Sequence, residues 1–392
     1  MIYFDNNATT PVDPEVLDAM LPYLKEEYGN PSSKYYTKAE NSKKAVEEAR
    51  EKLAKLINAS PDEIIFTSCA SESNNFIIKG IADYKKFIEN KGNHIITSKV
   101  EHKSVLQACK FLNGEIYMNK QKKKRFNQES SKIDRGYSVT FLDVNEYGQV
   151  TVDNLKNSIN NSTILVSIMW GNNEIGSLND IKSLSCLCKE KGVLFHSDAT
   201  QVLGKIDINV KEVPVDFLSF SAHKIYGPKG IGACYIRKGK YSLPDITSLI
   251  HGGEQEYGYR AGTLSVHNIV GFGKAAEIAL RDMNNYINKI KELEIELRKA
   301  LKEKIKDIKF VGHPDEHIPG VVPVIIPNKI NEMLIRNICN EVAISSGSAC
   351  SFGEPSYVLE AIGLGEYASN FVRISLNKYN NLDEINTFIE KI

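Results

Sequence analysis

Val193-Leu-Phe-His-Ser-Asp-Ala-Thr-Gln201 and Phe217-Leu-Ser-Phe-Ser-Ala-His-Lys224 are the stretches on which the fold is read. Each opens with a short apolar run, Val193–His196 and Phe217–Ser221, of a length suited to a buried strand. Each then ends in a charged residue, Asp198 in the first and Lys224 in the second. Working outward, Val46, Ala49, Leu53, Leu56 and Ile57 recur at helical spacing ahead of Ile64-Ile-Phe-Thr67. Ile95–Ser98, Val139–Leu142, Thr163–Met169 and Ile231–Ile236 are further strand candidates, most of them separated by helical stretches. Such alternation predicts an α/β protein with a largely parallel sheet covered by helices on both faces.

After Thr263 the texture changes. A charged helical stretch over about 266–307 leads to Val321–Ile326, a helix near 331–341 and a strand through Val372–Leu376. This reads as a smaller α+β domain, with the boundary near 250–265. A length of 392 residues agrees with two domains.

Composition excludes several classes. Hydrophobic residues make up 42% and charged residues 25%, the balance of a globular chain rather than a disordered one. Lys plus Arg equals Asp plus Glu at 49 each, so nucleic-acid contact requires a local patch. The N-terminus, MIYFDNNATTPVDP, lacks a basic stretch followed by an apolar one, and no apolar run approaches the ~20 residues of a membrane span. The seven cysteines (69, 109, 186, 188, 234, 339 and 350) are odd in number and scattered, which points to reduced thiols and a cytoplasmic location. Cys186-x-Cys188 has the wrong spacing for zinc and reads as part of a half-buried helix. Residues 114–136, with the basic run Lys120–Arg125, show no apolar periodicity. They read as an exposed insertion, a six-residue run being too little to carry an RNA contact.

Parallel sheets bind ligands beyond the carboxyl ends of their strands, where the polar clusters of this chain fall. Ser68-Cys-Ala-Ser-Glu-Ser-Asn-Asn75 follows a strand and opens a helix, whose free N–H groups suit a phosphate. Asp198 can hold a protonated ring nitrogen. Lys224 emerges from apolar surroundings, where desolvation turns a lysine into a Schiff-base nucleophile. Gly227-Pro-Lys-Gly230 supplies the tight turn that directs it. Acid, lysine and phosphate cup together form the minimum site for pyridoxal phosphate (PLP).

Tyr3-Phe-Asp-Asn-Asn-Ala-Thr-Thr-Pro11, Gly29-Asn-Pro-Ser-Ser33, Glu101-His-Lys103, Asn172-Asn-Glu-Ile-Gly176, His196-Ser-Asp-Ala-Thr-Gln201, Ser221-Ala-His-Lys224, Arg260-Ala-Gly-Thr263 and Ser345-Ser-Gly-Ser-Ala-Cys350 form an ordered set running nearly end to end. With this set the chain resembles the cysteine desulfurases of class V, fold-type-I PLP enzymes, in particular the NifS/IscS-like group. The implied fold is a large PLP-binding domain over 15–255 with a mainly parallel seven-stranded sheet. A small domain from 1–14 plus 256–392 would carry the catalytic cysteine loop.

The same resemblance implies the roles. Lys224 would bear the cofactor and move the proton at Cα, Asp198 would pair the pyridinium nitrogen, and His102 would stack on the ring. Gln201 and Asn173 would bond the ring's phenolic oxygen or the substrate, with Asn172 the neighbouring alternative. Ala70, Ser71, Ser221 and His223 would grip the phosphate. Thr263 would reach it from the opposite subunit of a homodimer. Arg373 would take the substrate carboxylate, and Cys350 would accept sulfur from L-cysteine as a persulfide, leaving alanine. An acceptor protein of iron–sulfur cluster assembly or tRNA thiolation would follow.

The sequence departs from the family pattern at several places. Cys69 stands at a usual glycine in the phosphate turn, and Tyr35 and Tyr36 occupy the place of a usual histidine. Glu254 replaces a glycine and Tyr257 an arginine. The segment from Cys350 to Pro355 is short, and 114–136 replaces a brief connection. A selenocysteine lyase, an aminotransferase, or a scaffold that has lost turnover are the competing readings, separable by their products.

Overall fold

The computed structural model describes residues 1–115, 133–347 and 356–392. Cys350 and the basic run Lys120–Arg125 lie outside the described residues. In chain order the strands are β1 (Ile2–Tyr3), β2 (Ile64–Thr67), β3 (His94–Ser98), β4 (Ser138–Leu142), β5 (Thr163–Ser167), β6 (Leu194–Asp198), β7 (Phe217–Ser221), β8 (Gly232–Ile236), β9 (Lys309–Phe310), β10 (Val321–Ile325), β11 (Val342–Ala343) and β12 (Phe371–Ser375).

β2 to β8 form a seven-stranded sheet in the order β2-β8-β7-β6-β5-β3-β4. The run from β4 to β7 is parallel, and β8 lies antiparallel to both β7 and β2. This is the expected mainly parallel sheet. Adjacent residues of a strand serve opposite faces, as the period of two requires. Ile64, Phe66 and Leu218 enter one core with Leu53 and Phe272, while Ile65 and Phe217 enter another with Phe76 and Val105. The two layers are built by α1 (Pro14–Lys25), α2 (Thr37–Leu56), α3 (Ala70–Asp83), α4 (Lys103–Leu112), α5 (Val152–Ser158) and α6 (Ile181–Glu190). Cys186 and Cys188 do lie on a helix, α6, the first exposed and the second buried.

β10 pairs antiparallel with β9 and β12, and β1 pairs with β11. The smaller core these strands build contains Phe4, Leu297, Val324, Ile374 and Phe388. α7 (Val266–Lys304) serves both cores, since Ile269, Phe272 and Ala276 pack under the large sheet and Ile290, Leu297 and Leu301 under the small one. Helices α8 (Asn331–Ile338), α9 (Tyr357–Ala361) and α10 (Leu382–Lys391) complete the described chain.

The sheet order places β5 and β4 on opposite sides of β3, so crossover direction reverses there. The carboxyl ends of β3, β5, β6 and β7 open into one crevice. It is closed by the N-terminal segment that follows β1 and by β12.

Candidate active site

The crevice is a cavity of about 240 Å³. Of the expected residues it gathers Ala70, Ser71, His102, Asn173, Asp198, Gln201, Ser221, His223, Lys224 and Arg373, and it adds Asn7, Ala8, Cys69 and Thr200. Thr263 is exposed and does not line it.

Asp198 ends β6 and is buried at 5% exposure. Its Oδ2 accepts from Asn74 Nδ2 at 2.8 Å and its Oδ1 from the Thr200 amide at 3.0 Å. Asn74 Nδ2 also donates to Ser104 Oγ at 2.8 Å, and Ser104 Oγ meets His102 Nδ1 at 2.8 Å. A continuous chain therefore runs from His102 to Asp198. His102 is the N-cap of α4, with Nδ1 accepting from the Ser104 amide at 3.2 Å, so the ring's position is set by the helix it starts. Asn74 and Ser104 were not singled out from the sequence. Asn74 sat inside a motif already read as a phosphate cup, and nothing local marks its reach to a residue 124 positions away.

Lys224 lies in the single 3₁₀ turn (Ala222–Lys224) after β7. Its Nζ donates to the Ala8 carbonyl at 2.8 Å and to the Asn7 carbonyl. Gly227 allows this turn, because a Cβ there would stand 2.9 Å from the Ala222 oxygen. His223 points its Nδ1 at Thr9 Oγ1, 3.1 Å away. Burial first, then the charges of Lys224, Lys229 and Lys205, push this imidazole down to about 4. It is neutral at physiological pH.

Asn172 and Asn173 separate cleanly. Asn172 is a turn residue, its Oδ1 accepting from the Glu174 and Ile175 amides at 2.8 and 3.0 Å. Asn173 faces the crevice, and its buried Oδ1 has no partner. Arg373, 1% exposed, has Nη2 2.6 Å from Asp5 Oδ1 and Nη1 2.8 Å from the Asn173 carbonyl. Its Nε is buried and unpartnered. The expected carboxylate fork is thus partly committed to Asp5 and Asn173, which fix its direction.

Two departures from the family pattern acquire physical reasons. Cys69 has φ −176° and ψ 168°, ordinary extended backbone, so no glycine is needed in the phosphate turn. Space for it comes from Gly232, where a Cβ would stand 2.6 Å from the Cys69 carbonyl carbon. Tyr257 lies in a turn where Glu256 and Tyr257 adopt φ of 48° and 58°. That strained turn is anchored by Arg50, whose Nη1 and Nη2 grip the Glu256 carboxylate at 2.9 and 2.8 Å, both groups being buried. The Tyr257 ring covers the same guanidinium at 5.4 Å, where an arginine would place a like charge. Glu256→Gln leaves Arg50, charged and buried, with only the half-exposed Glu47 carboxylate, 3.2 Å from its Nε, as an anion. It is expected to destabilise the chain by roughly 3 kcal/mol, read as a lowered unfolding midpoint. An unchanged midpoint would remove the pair from this account.

Two buried titratable groups flank the site. Glu101 is pushed up to about 8 by burial, against its hydrogen bonds from Ser98 Oγ and the Met169 amide. His196 bridges Ser167 Oγ at 2.8 Å and Ser219 Oγ at 2.9 Å, and burial pushes it down to about 4. A depressed histidine is more readily protonated unfolded than folded. Its contribution is therefore intact above about 6.5 and lost as the pH falls toward 4, on the order of 3 kcal/mol. Glu101, raised to about 8, contributes in the opposite sense over this range. The His196 contribution is therefore read as wild-type stability minus that of His196→Gln, a difference that should shrink from pH 7 through 5.5 to 4.5 in denaturant unfolding. An equal decline in the variant would assign the acid sensitivity to other groups.

The described residues on either side of Cys350 meet at one carboxylate. Ser356 Oγ donates to Glu174 Oε2 at 2.5 Å, and a Cβ on Gly347 would lie 3.3 Å from the same oxygen.

These residues fit pyridoxal phosphate. They offer a primary amine, a carboxylate with both oxygens held, a helix N-terminus with free amides, and two buried polar atoms without a protein partner, Asn173 Oδ1 and Arg373 Nε, that a ligand could satisfy. Among the described residues no group of three His, Cys, Asp or Glu could hold a metal, and no helix is long and apolar enough to cross a membrane.

Fold and crevice together define an enzyme of the PLP-dependent class-V aminotransferase family, whose model (Aminotransferase class-V) matches residues 2–388. A cysteine desulfurase IscS from Clostridium botulinum is 42% identical, covering 99% of this chain and 92% of its own. The IscS of Plasmodium falciparum is also 42% identical over 98% of this chain, which spans 66% of that longer protein. Among solved structures, SspA in complex with cysteine superposes with a TM-score of 0.79 at 35% identity, covering 97% of this chain and 100% of its own. The chain belongs to the cysteine desulfurases of this family.

Proposed function

We propose that the chain removes sulfur from L-cysteine, holding pyridoxal phosphate on Lys224 and passing the sulfur through a persulfide on Cys350. The observation that carries this reading is the meeting, in one cavity, of the Lys224 amine, the Asp198 carboxylate and the N-terminus of α3. The cysteine bound by the structural relative SspA supports the choice of substrate.

Bound there, the cofactor would supply an electron sink that acidifies the substrate Cα–H. Every other task falls to the chain. Asp198 keeps the ring nitrogen charged, and the chain through Asn74 and Ser104 ties that carboxylate to His102 on the ring face. The first amides of α3, with Ser71, Ser221 and neutral His223, hold the phosphate. Asn173 and Gln201 bond the ring oxygen or the substrate. Arg373 turns its Nε and remaining N–H donors to the substrate carboxylate. Lys224, aimed by the Asn7 and Ala8 carbonyls, carries the proton at Cα. The Cys350 thiolate attacks the substrate sulfur, so the S–S bond forms as Cβ–S breaks, and protonation at Cβ completes alanine.

Thr263 serves a neighbouring copy in a homodimer, a reading supported by its exposure and its absence from this chain's own crevice. The six described cysteines are all unpaired, in keeping with a reducing, cytoplasmic setting and an acceptor protein that takes sulfur as persulfide. The test is purified protein given cysteine and scored for alanine, sulfide and a persulfide-bearing peptide. Alanine and persulfide in equal amounts in a single turnover are expected. A keto acid in their place would overturn the reading.

A further inference from the structure

We infer that Lys205 is a positioning residue of the active site, a second lysine set behind Lys224 that orients Gln201 and places positive charge behind the cofactor-bearing amine. The inference rests on the cofactor reading above.

Lys205 lies in the connection between β6, which ends at Asp198, and β7. The loop is pinned where Gly204, at φ +65°, gives its carbonyl to the Tyr286 hydroxyl of α7. From there Lys205 Nζ donates to Gln201 Oε1 at 3.4 Å and to Asn7 Oδ1 at 3.3 Å. An amine has N–H groups to give to both carbonyl ends, so these two bonds tell each amide which way to face. Gln201 must present Nε2, which lies 3.0 Å from the Asn7 carbonyl. Asn7 must present Nδ2, which lies 3.3 Å from the Asn173 carbonyl. That same Asn173 oxygen accepts from Arg373, and the Asn7 carbonyl accepts from Lys224. One lysine therefore sets two amides that touch the groups assigned to cofactor and substrate.

The surroundings give its charge a direction of action. Lys205 makes no ion pair among the described residues. On the crevice side it faces Lys224 and Arg373, the latter already paired with Asp5. Lys205 and Lys224 line a common cavity of about 10 Å³ with the hydroxyl-bearing rings Tyr226 and Tyr286. Behind it a cavity of about 650 Å³ presents Asp207, Asp315 and Lys291, with Glu294 occupied by Arg298 and His317. Burial first, then Lys224 and Arg373, push the ammonium down to about 7. Its charge is present below that pH and fades above it, whereas its N–H donors remain in both states. Orientation and charge are thus separable.

The test uses the full chain, stripped of cofactor and titrated with pyridoxal phosphate. Uptake is followed by quenching of Trp170, the single tryptophan, whose neighbours Met169 and Gly171 line the crevice. Lys205→Met removes donor and charge, and is expected to weaken affinity about tenfold. Lys205→Gln keeps a donor for the Gln201 oxygen and should hold affinity within about threefold of wild type. Both variants remove a cation beside Lys224. Both should therefore raise the pH midpoint of the cofactor's visible absorbance by about half a unit or more, measured below pH 7. If Lys205→Met fails to fold, the Lys205→Gln midpoint alone decides. Wild-type affinity and midpoint in both variants would overturn the inference, and so would equal losses of affinity with unmoved midpoints. Wild-type protein that takes up no pyridoxal phosphate would bring down the cofactor reading first, and this inference with it.

Discussion

Lys224→Ala is expected to yield a folded, colourless protein with turnover reduced by roughly 10³-fold or more. Folding should survive, because the Nζ donates to the Asn7 and Ala8 carbonyls at the edge of the crevice and the side chain is only partly buried. Cofactor is then held by the phosphate cup and Asp198 alone, and should be lost on dialysis, since the covalent link is gone. Borohydride reduction followed by digestion distinguishes the assignments. In wild type the reduced adduct should map to the peptide bearing Lys224. Recovery at Lys205, which lines a small cavity together with Lys224, would exchange the roles of the two lysines. Retention of the visible band by the alanine variant would end the case for Lys224.

The second large effect is expected at Cys350. A serine there keeps the shape of the side chain and loses the only atom able to take sulfur by S–S bond formation. Cys350→Ser should bind pyridoxal phosphate with wild-type affinity, since the groups proposed to hold the cofactor, Lys224, Asp198 and the N-terminus of α3, are unchanged. It should still respond spectrally to cysteine, form no persulfide peptide and release sulfide at least ~10²-fold more slowly. Undiminished sulfide release would move the acceptor role elsewhere. Cys69 is then the candidate to examine, because it is the cysteine that lines the crevice among the described residues.

The two expectations differ in what they require of the fold. Lys224 acts through a geometry that every wall of the crevice helps to set. The role proposed for Cys350 rests on an element, sulfur, that a serine cannot supply. A variant at Asn74 or Ser104 should sit between these extremes, loosening the carboxylate or the ring-face histidine without removing either.

Much of this was legible in the residues. Short apolar runs ending in polar loops announced a parallel sheet with a ligand site at its strand ends, because a strand buried on both faces must be apolar along its length and can turn polar only where it leaves the sheet. Phe217–Ser221 and Ile64–Thr67 coincide with β7 and β2, although Ser219 is polar in mid-strand, its hydroxyl satisfied by His196 Nε2 at 2.9 Å. Val193–His196 was placed too early, since β6 continues through Ser197 and Asp198. Their polarity is accommodated inside the sheet, with Asp198 satisfied by Asn74 and Thr200. Lys224, Asp198 and Arg373 were likewise readable as candidates, and the structure brings all three to one cavity.

What no local pattern could reveal is which distant groups finish each residue's work. By itself the sequence determined the alternation of strands and helices and the mainly parallel sheet, and it nominated an amine, an acid, a phosphate turn and a sulfur atom, since each depends on residue type and on neighbours a few positions away. Only the tertiary structure decided that Asn7 and Ala8 aim Lys224, that Asn74 holds Asp198, that Glu256 steadies its strained turn through Arg50, and that Lys205 lies behind the crevice. Such pairings join residues far apart in the chain through directional hydrogen bonds. Those bonds form only once packing has brought both partners out of water, and no periodicity along the chain records them.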